Sequence, residues 1–132
     1  MNPTRRALRA TLVPVLLAAA CPAAAAEVIP ITWNAAQRFQ LTSAVLPGKT
    51  VEVCGRLPRG ALVRWSFESA APLDFNIHYH EGRKVVVPDQ RAGVSATRGT
   101  LLARVAQDYC WMWTQRGSVD VPLTLTLQRT RR

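Results

Sequence analysis

From residue 27 onward, apolar and polar residues alternate with a period of two, and this pattern constrains the fold more than any other feature. The clearest runs cover residues 63–68, 74–80, 109–114 and 119–128. A period of two predicts strands with one apolar and one polar face, as a sheet covered on one side requires. Shorter candidate strands are residues 38–41, 50–53, 84–87 and 100–105.

Glycine and proline residues separate these segments, as expected of tight turns. About eight short strands at this spacing predict an all-β fold, a two-sheet antiparallel β-sandwich or jelly roll. Residues 90–99 hold few bulky apolar side chains. We therefore expect them to form a mobile loop.

The N-terminal stretch has the composition of a targeting segment. Three arginines precede an apolar run over residues 10–20, and three alanines follow it. This order predicts a cleaved signal peptide over residues 1–26 and a periplasmic or secreted domain over residues 27–132. The run is shorter than the ~20 residues of a membrane-spanning helix, so no integral span is expected in the mature chain. Two alternatives stay open, since Arg5-Arg6 also fits a twin-arginine signal and Cys21 a lipidation site.

The charge of the chain is strongly positive, with 17 basic and eight acidic residues. Without the three signal arginines, 14 basic residues remain against eight acidic ones, a net charge of +6. Such a charge suits polyanions in general. However, the arginines are scattered, and no basic stripe interleaves with aromatic residues as nucleic-acid binding needs. The sequence therefore predicts no nucleic-acid partner and favours another envelope or secreted protein.

Two cysteines remain after the signal segment, Cys54 and Cys110. An even pair in an oxidising compartment predicts a disulfide, and the chain has no CxxC spacing that would indicate a metal or redox centre. Cys54 is out of phase with Val53, and Cys110 with Trp111. Both sulfurs are therefore expected on the outer side of one sheet, where they would tie neighbouring strands.

The order of these signals resembles a known family. A strand runs into the first cysteine (TVEVCGRL), strands of the type LVRWSFES and LDFNIHYHEGRKV follow, and a tyrosine precedes the second cysteine (GTLLARVAQDYCWMW). This order is similar to the GOLD domain, the lumenal β-sandwich of cargo receptors of the early secretory pathway, over roughly Phe39 to Leu127. The resemblance implies a disulfide between the corresponding cysteines and a non-catalytic sandwich that binds a protein or ligand. No C-terminal membrane helix, coiled coil or tail signal accompanies it, so a trafficking role is not implied.

A possible metal site lies on one predicted strand. His78 and His80 are the chain's two histidines, and residues two apart on a strand share a face at ~6.5–7 Å. Two imidazoles at that spacing can bind Cu²⁺ or Zn²⁺. Further donors are Asp74, Asn76 or Glu81, with Met112 as a thioether for Cu(I). The alternative is a solvated polar face that binds no metal.

The same segment is a candidate partner-binding surface. Most aromatic residues lie on the apolar phase of their strands and are expected in the core. Trp113 is the expected exception, because it approaches the turn at Arg116-Gly117. The residues predicted to contact a partner are Asp74, Asn76, His78, His80, Glu81 and Trp113.

Signals for catalysis are absent from the sequence. The serines lack a nucleophile-elbow context, and no glycine-rich phosphate loop occurs. We therefore expect a non-catalytic binding module of unknown ligand, with an extracytoplasmic copper or zinc binding protein as the alternative. A third hypothesis is an exported inhibitor of a wall-degrading enzyme.

Overall fold

The computed structural model describes residues 25–130, and every regular element in that range is a β-strand. The strands are β1 (Glu27–Pro30), β2 (Arg38–Val45), β3 (Thr50–Leu57), β4 (Leu62–Glu81), β5 (Lys84–Leu102), β6 (Gln107–Thr114) and β7 (Val121–Arg129). This confirms the all-β class. No helix in the described part of the chain is long and apolar enough to cross a membrane. The predicted signal segment and Cys21 lie outside the described residues, except for Ala25 and Ala26.

All seven strands belong to one hydrogen-bonded sheet, in the order β1-β3-β6-β4-β7-β2, with β5 paired to β4. The 20-residue strand β4 pairs with β5 along one side. Along its other side it pairs first with β7 and then with β6. The β4–β5 ladder shifts register between Glu68 and Leu73, and the sheet folds over at this irregularity.

The fold divides the sheet into two halves that face each other. The first half-sheet comprises β2, β7, the start of β4 and the end of β5, and the second comprises β1, β3, β6, the end of β4 and the start of β5. Phe67 of the first half-sheet lies 4.9 Å from Phe75 and 5.5 Å from Trp113 of the second, between ring centroids. The predicted sandwich is therefore built from one curled sheet.

The strand count is seven instead of about eight, because two pairs of short predicted strands join into longer ones and β1 was not predicted. Residues 63–68 and 74–80 are both parts of β4. The sheet is also mixed, since β1 pairs with β3 in parallel while the other ladders are antiparallel.

Residues 90–99, expected as a mobile loop, lie in β5 and pair with β4 over most of their length. The expectation was wrong because β5 pairs with no strand other than β4 among the described residues and covers little core. Small and polar residues are sufficient in such an edge strand. Gly99 is required there, since a Cβ atom at this position would lie 2.6 Å from the Trp65 ring.

The disulfide between Cys54 and Cys110 is confirmed, with an S–S distance of 2.08 Å. The two residues are direct partners in the β3–β6 ladder, 4.1 Å apart between Cα atoms. Their ladder neighbours Val53 and Trp111 are fully buried on the opposite, inner face. The bond therefore ties neighbouring strands on the outer side of the second half-sheet.

Candidate functional site

The outer face of the second half-sheet carries the predicted histidine site. Register places His78 beside Cys110, which is in turn beside Cys54. His78 is 6% exposed, and its Nδ1 lies 2.9 Å from Oδ1 of Asn76. His80 is exposed, and its ring centroid lies 5.4 Å from that of His78. The structure therefore brings both histidines and Asn76 together on one face.

Glu52 of β3 is an addition that the sequence did not reveal. A carboxylate oxygen of Glu52, a ring nitrogen of His78 and the Cys110 sulfur lie within 4.8 Å of one another. Because that sulfur is in the disulfide, it is no thiolate ligand. The predicted Met112 is the ladder partner of Glu52 on the same face. Glu52 lies two residues before Cys54 and therefore on the same face of the strand. The sequence could not show that Glu52 lies near His78, because that depends on the order of the strands in the sheet.

Burial favours the neutral form of the His78 imidazole, which is the form that can bind a metal. Burial lowers the pKa of His78 below its ordinary value; the Glu52 carboxylate opposes this shift and His80 adds to it. A lowered pKa leaves the imidazole neutral at pH 7, the form in which histidine binds metals. Asn76 would hold the ring in place through its other nitrogen, as a second-shell partner does in metal sites.

Asp74 belongs to a different site from the histidines. Its carboxylate accepts hydrogen bonds from Nε of Arg116 at 2.5 Å and from the backbone N–H of Gly93 at 3.0 Å. The Arg116 hydrogen bond, and after it that of Gly93, hold the pKa of Asp74 below its usual range. Asp74 therefore fixes the segment after β6 to the end of the second half-sheet.

The segment of residues 115–120, which we call the braced loop, is ordered from within by Gln115. This side chain is 5% exposed. Its Nε2 donates to the Val119 carbonyl at 2.9 Å, and its Oε1 accepts from the Gly117 N–H at 2.7 Å. Its backbone N–H donates to the Lys49 carbonyl at 3.0 Å. Gln115 thus satisfies both ends of its amide within the loop that it supports.

The braced loop was missed because its sequence looks like an ordinary turn. The inward phase of β6 passes through Trp111 and Trp113 and then reaches Gln115. A polar residue at an apolar position is a signal that could have found the anchor, since buried amides need partners.

The outward side chains of the braced loop form a contact surface. Arg116, Ser118 and Asp120 are exposed, and Val119 is 65% exposed, more than any other large hydrophobic residue in the described range. A depression of about 380 Å³ adjoins the loop. Its lining includes Ala71, Pro72, Asp74, Gly93, Arg116 and Val119.

The remaining predicted partner contacts are separated from this loop or hidden. Glu81 is exposed at the β4–β5 hairpin, and seven residues of strand at ~3.3 Å each separate it from Asp74, roughly 23 Å. Trp113 is 0% exposed, so the expectation that it reaches the surface was wrong. Its ring lies on the inner phase of β6, against Phe67 and Phe75.

Comparison with known proteins identifies the fold but no family. No protein-family model and no curated protein matches the chain. The chain is similar to PliG of Aeromonas hydrophila, a periplasmic inhibitor of g-type lysozyme (TM-score 0.61, 16% identity, 79% of this chain and 96% of that one). It is also similar to PliG of Salmonella Typhimurium, a periplasmic inhibitor of the same lysozyme type (0.59, 9%, 80% and 100%). A third similar structure is the pre-peptidase C-terminal domain of a Bacillus anthracis collagenase (0.57, 10%, 79% and 95%).

These likenesses show a shared β-sandwich fold. Two of the three similar structures are periplasmic inhibitors of g-type lysozyme. The disulfide agrees with export, because such bonds persist in oxidising compartments. None of the three is a GOLD domain, so that resemblance stays a prediction.

Proposed function

We propose that this protein is an exported, non-catalytic binding protein that docks on another envelope or secreted protein through the braced loop. The observation that carries the proposal is the double hydrogen bonding of the Gln115 amide to its own loop. A loop that is already ordered loses little conformational freedom on binding, and this preserves affinity. Binding residues also concentrate on loops that a rigid scaffold positions.

The chemistry of the loop suits a protein surface. Val119 offers an exposed apolar contact, and Arg116 offers a guanidinium that Asp74 already orients. Arginine is enriched among the residues that dominate protein interfaces. The adjoining depression of about 380 Å³ can receive a side chain of the partner.

The partner that we favour is a wall-degrading enzyme. The two similar PliG proteins inhibit g-type lysozymes, and fold alone does not carry function from one protein to another. The proposal is that the braced loop of this chain binds such an enzyme and blocks it.

Inhibition of a g-type lysozyme acting on bacterial cell wall tests the proposal. In the Arg116→Ala/Val119→Ser variant we expect inhibition to weaken about 30-fold or more, since central interface residues cost about 2 kcal/mol or more when truncated. Asp74→Asn weakens the hydrogen bond that orients Arg116 but keeps the Arg116 side chain, so it should give a smaller loss of inhibition.

The matched control removes the same residue types at the other end of the half-sheet. Arg83 lies in the β4–β5 turn, Val85 follows it in β5, and both are exposed, so Arg83→Ala/Val85→Ser should inhibit like the wild type. Equal losses in both double variants would contradict a role of the loop. A wild-type protein that neither binds nor inhibits the lysozyme would overturn the proposed partner.

Metal binding is a second candidate, favoured by the distance below 4.8 Å between ligand atoms of His78 and Glu52. We expect the oxidised protein to bind Cu²⁺ or Zn²⁺ at micromolar concentration, with His80 completing the site. In calorimetric titration, His78→Ala/His80→Ala should abolish the heat and Glu52→Gln should weaken binding. Asp108→Asn, a nearby exposed carboxylate paired with Arg56, is the control. No heat from the wild type would leave His78, His80 and Glu52 as polar side chains without a role in metal binding.

A further inference from the structure

The outer surface of the first half-sheet carries unpaired positive charge. We call this surface the arginine face. Its residues are Arg38, Gln40 and Thr42 of β2, Thr124, Thr126 and Gln128 of β7, Arg64, Ser66 and Glu68 of β4, and Ala96, Arg98 and Thr100 of β5. Ladder register places them in three rows that each cross all four strands. The face therefore follows directly from strand pairing.

The guanidinium groups of its three arginines have no partner among the described residues. Arg38, Arg64 and Arg98 are exposed, and none forms an ion pair or side-chain hydrogen bond within residues 25–130. Other arginines of the chain are used internally, such as Arg116 on Asp74 and Arg91 on Asp89. Unpaired guanidinium groups on one face remain free to bind an external anion.

The arginines lie close enough to act on one ligand. Arg38 and Arg64 flank Gln128 in the same row, two strand spacings apart or roughly 10 Å. Arg98 is the partner of Ser66, so it lies diagonally from Arg64 at ~7–8 Å. Glu68 is the only acidic member of the face.

Hydroxyl groups fill the space between these charges. Ser66 and Thr126 are ladder partners at the centre of the face, and neither side chain bonds to the rest of the described chain. Two adjoining depressions of about 640 and 340 Å³ share Ser66, Thr126 and Arg98 as lining residues. The centre of the face is thus a shallow polar groove.

We infer that the arginine face binds an anionic polysaccharide. A guanidinium forms paired hydrogen bonds with a carboxylate or sulfate group, and the free hydroxyls and the Gln40 amide can bond to sugar hydroxyls. No aromatic residue belongs to the face, so bases have no stacking platform. None of the exposed large hydrophobic residues belongs to it either, although Leu62 and Leu102 border it, so it lacks the apolar residues that insert into lipid.

Binding of polygalacturonate, a carboxylated polysaccharide, tests the inference, with neutral dextran as the comparison. The titration is made at about 0.15 M salt, where long-range attraction is screened beyond ~8 Å. We expect the wild type to bind polygalacturonate and not dextran. Arg38→Gln/Arg64→Gln/Arg98→Gln should bind about tenfold more weakly or worse, the combined effect of three exposed charge contacts.

A second triple variant separates position from net charge. Arg83→Gln/Lys84→Gln/Arg104→Gln removes three exposed charges outside the face, and its affinity should stay within about twofold of the wild type. Equal weakening in both triple variants would overturn the inference, as would binding of duplex DNA or anionic phospholipid vesicles as tight as that of polygalacturonate. Both variants should keep the wild-type melting temperature, since the replaced side chains are exposed.

Discussion

Replacing Trp113 by alanine is expected to lower the free energy of unfolding by about 3–5 kcal/mol. The side chain is 0% exposed, and its ring packs 5.5 Å from both Phe67 and Phe75. The contact with Phe67 joins the inner faces of the two half-sheets, so the cavity would open where they meet. Denaturant unfolding of the oxidised protein, followed by circular dichroism, measures the loss.

Two further substitutions show whether this loss comes from packing. The Trp113 indole N–H has no hydrogen-bond partner among the described residues, so Trp113→Phe removes an unsatisfied donor and should cost less than half as much. Trp33 is partly buried against Arg129. Its replacement by alanine should lower the free energy of unfolding by about 1 kcal/mol. Wild-type stability in Trp113→Ala would instead return this residue to the surface, where the sequence interpretation had placed it.

The alternation of residues predicted most of the core strands and which of their faces is buried, but it missed β1 and the middle of β5. It correctly placed Val53 and Trp111 inside, and therefore the cysteines outside. The same rule also placed Trp113 inside, and the error came from giving more weight to the nearby turn. Phase is set by the sterics of the whole strand, so it outweighs proximity to a turn.

Strand pairing was beyond what the sequence could supply. Period two shows which side of a strand is buried but does not identify its neighbours. β4 illustrates this, because a single strand crosses both half-sheets and changes partner from β7 to β6. The arginine face depends on this order, since Arg38, Arg64 and Arg98 are far apart in sequence and meet only through the ladders.

The candidate sites show the same limit. His78 and His80 were found because a strand places residues two apart on one face. Glu52 was not, because it comes from β3 and reaches His78 across β6. The stretch from Asp74 to Glu81 looked like one surface, but it runs along a strand from the braced loop to the opposite end. Residues adjacent in sequence were thus divided between different sites.

Replacing both cysteines by alanine is expected to lower the free energy of unfolding by about 4 kcal/mol, the cost of an unclosed loop in the chain-entropy model. Cys54 and Cys110 are separated by 56 positions, and the loss is large against the ~5–15 kcal/mol of an ordinary domain. Denaturant unfolding at equilibrium measures it. Treatment with a dithiol reductant should destabilise the wild type by a similar amount and leave the double variant unchanged.

The dependence of stability on denaturant distinguishes this loss from that of Trp113→Ala. Without the bond, the unfolded chain expands and exposes more surface, so the slope of free energy against denaturant should rise. The Trp113→Ala variant keeps the disulfide, so its unfolded chain is as constrained as that of the wild type. Its slope should therefore match the wild-type slope. If the cysteine variant loses stability with an unchanged slope, the bond acts through the folded state, in its contacts between β3 and β6. Retention of full stability would mean that the pairing of β3 with β6 does not depend on the bond.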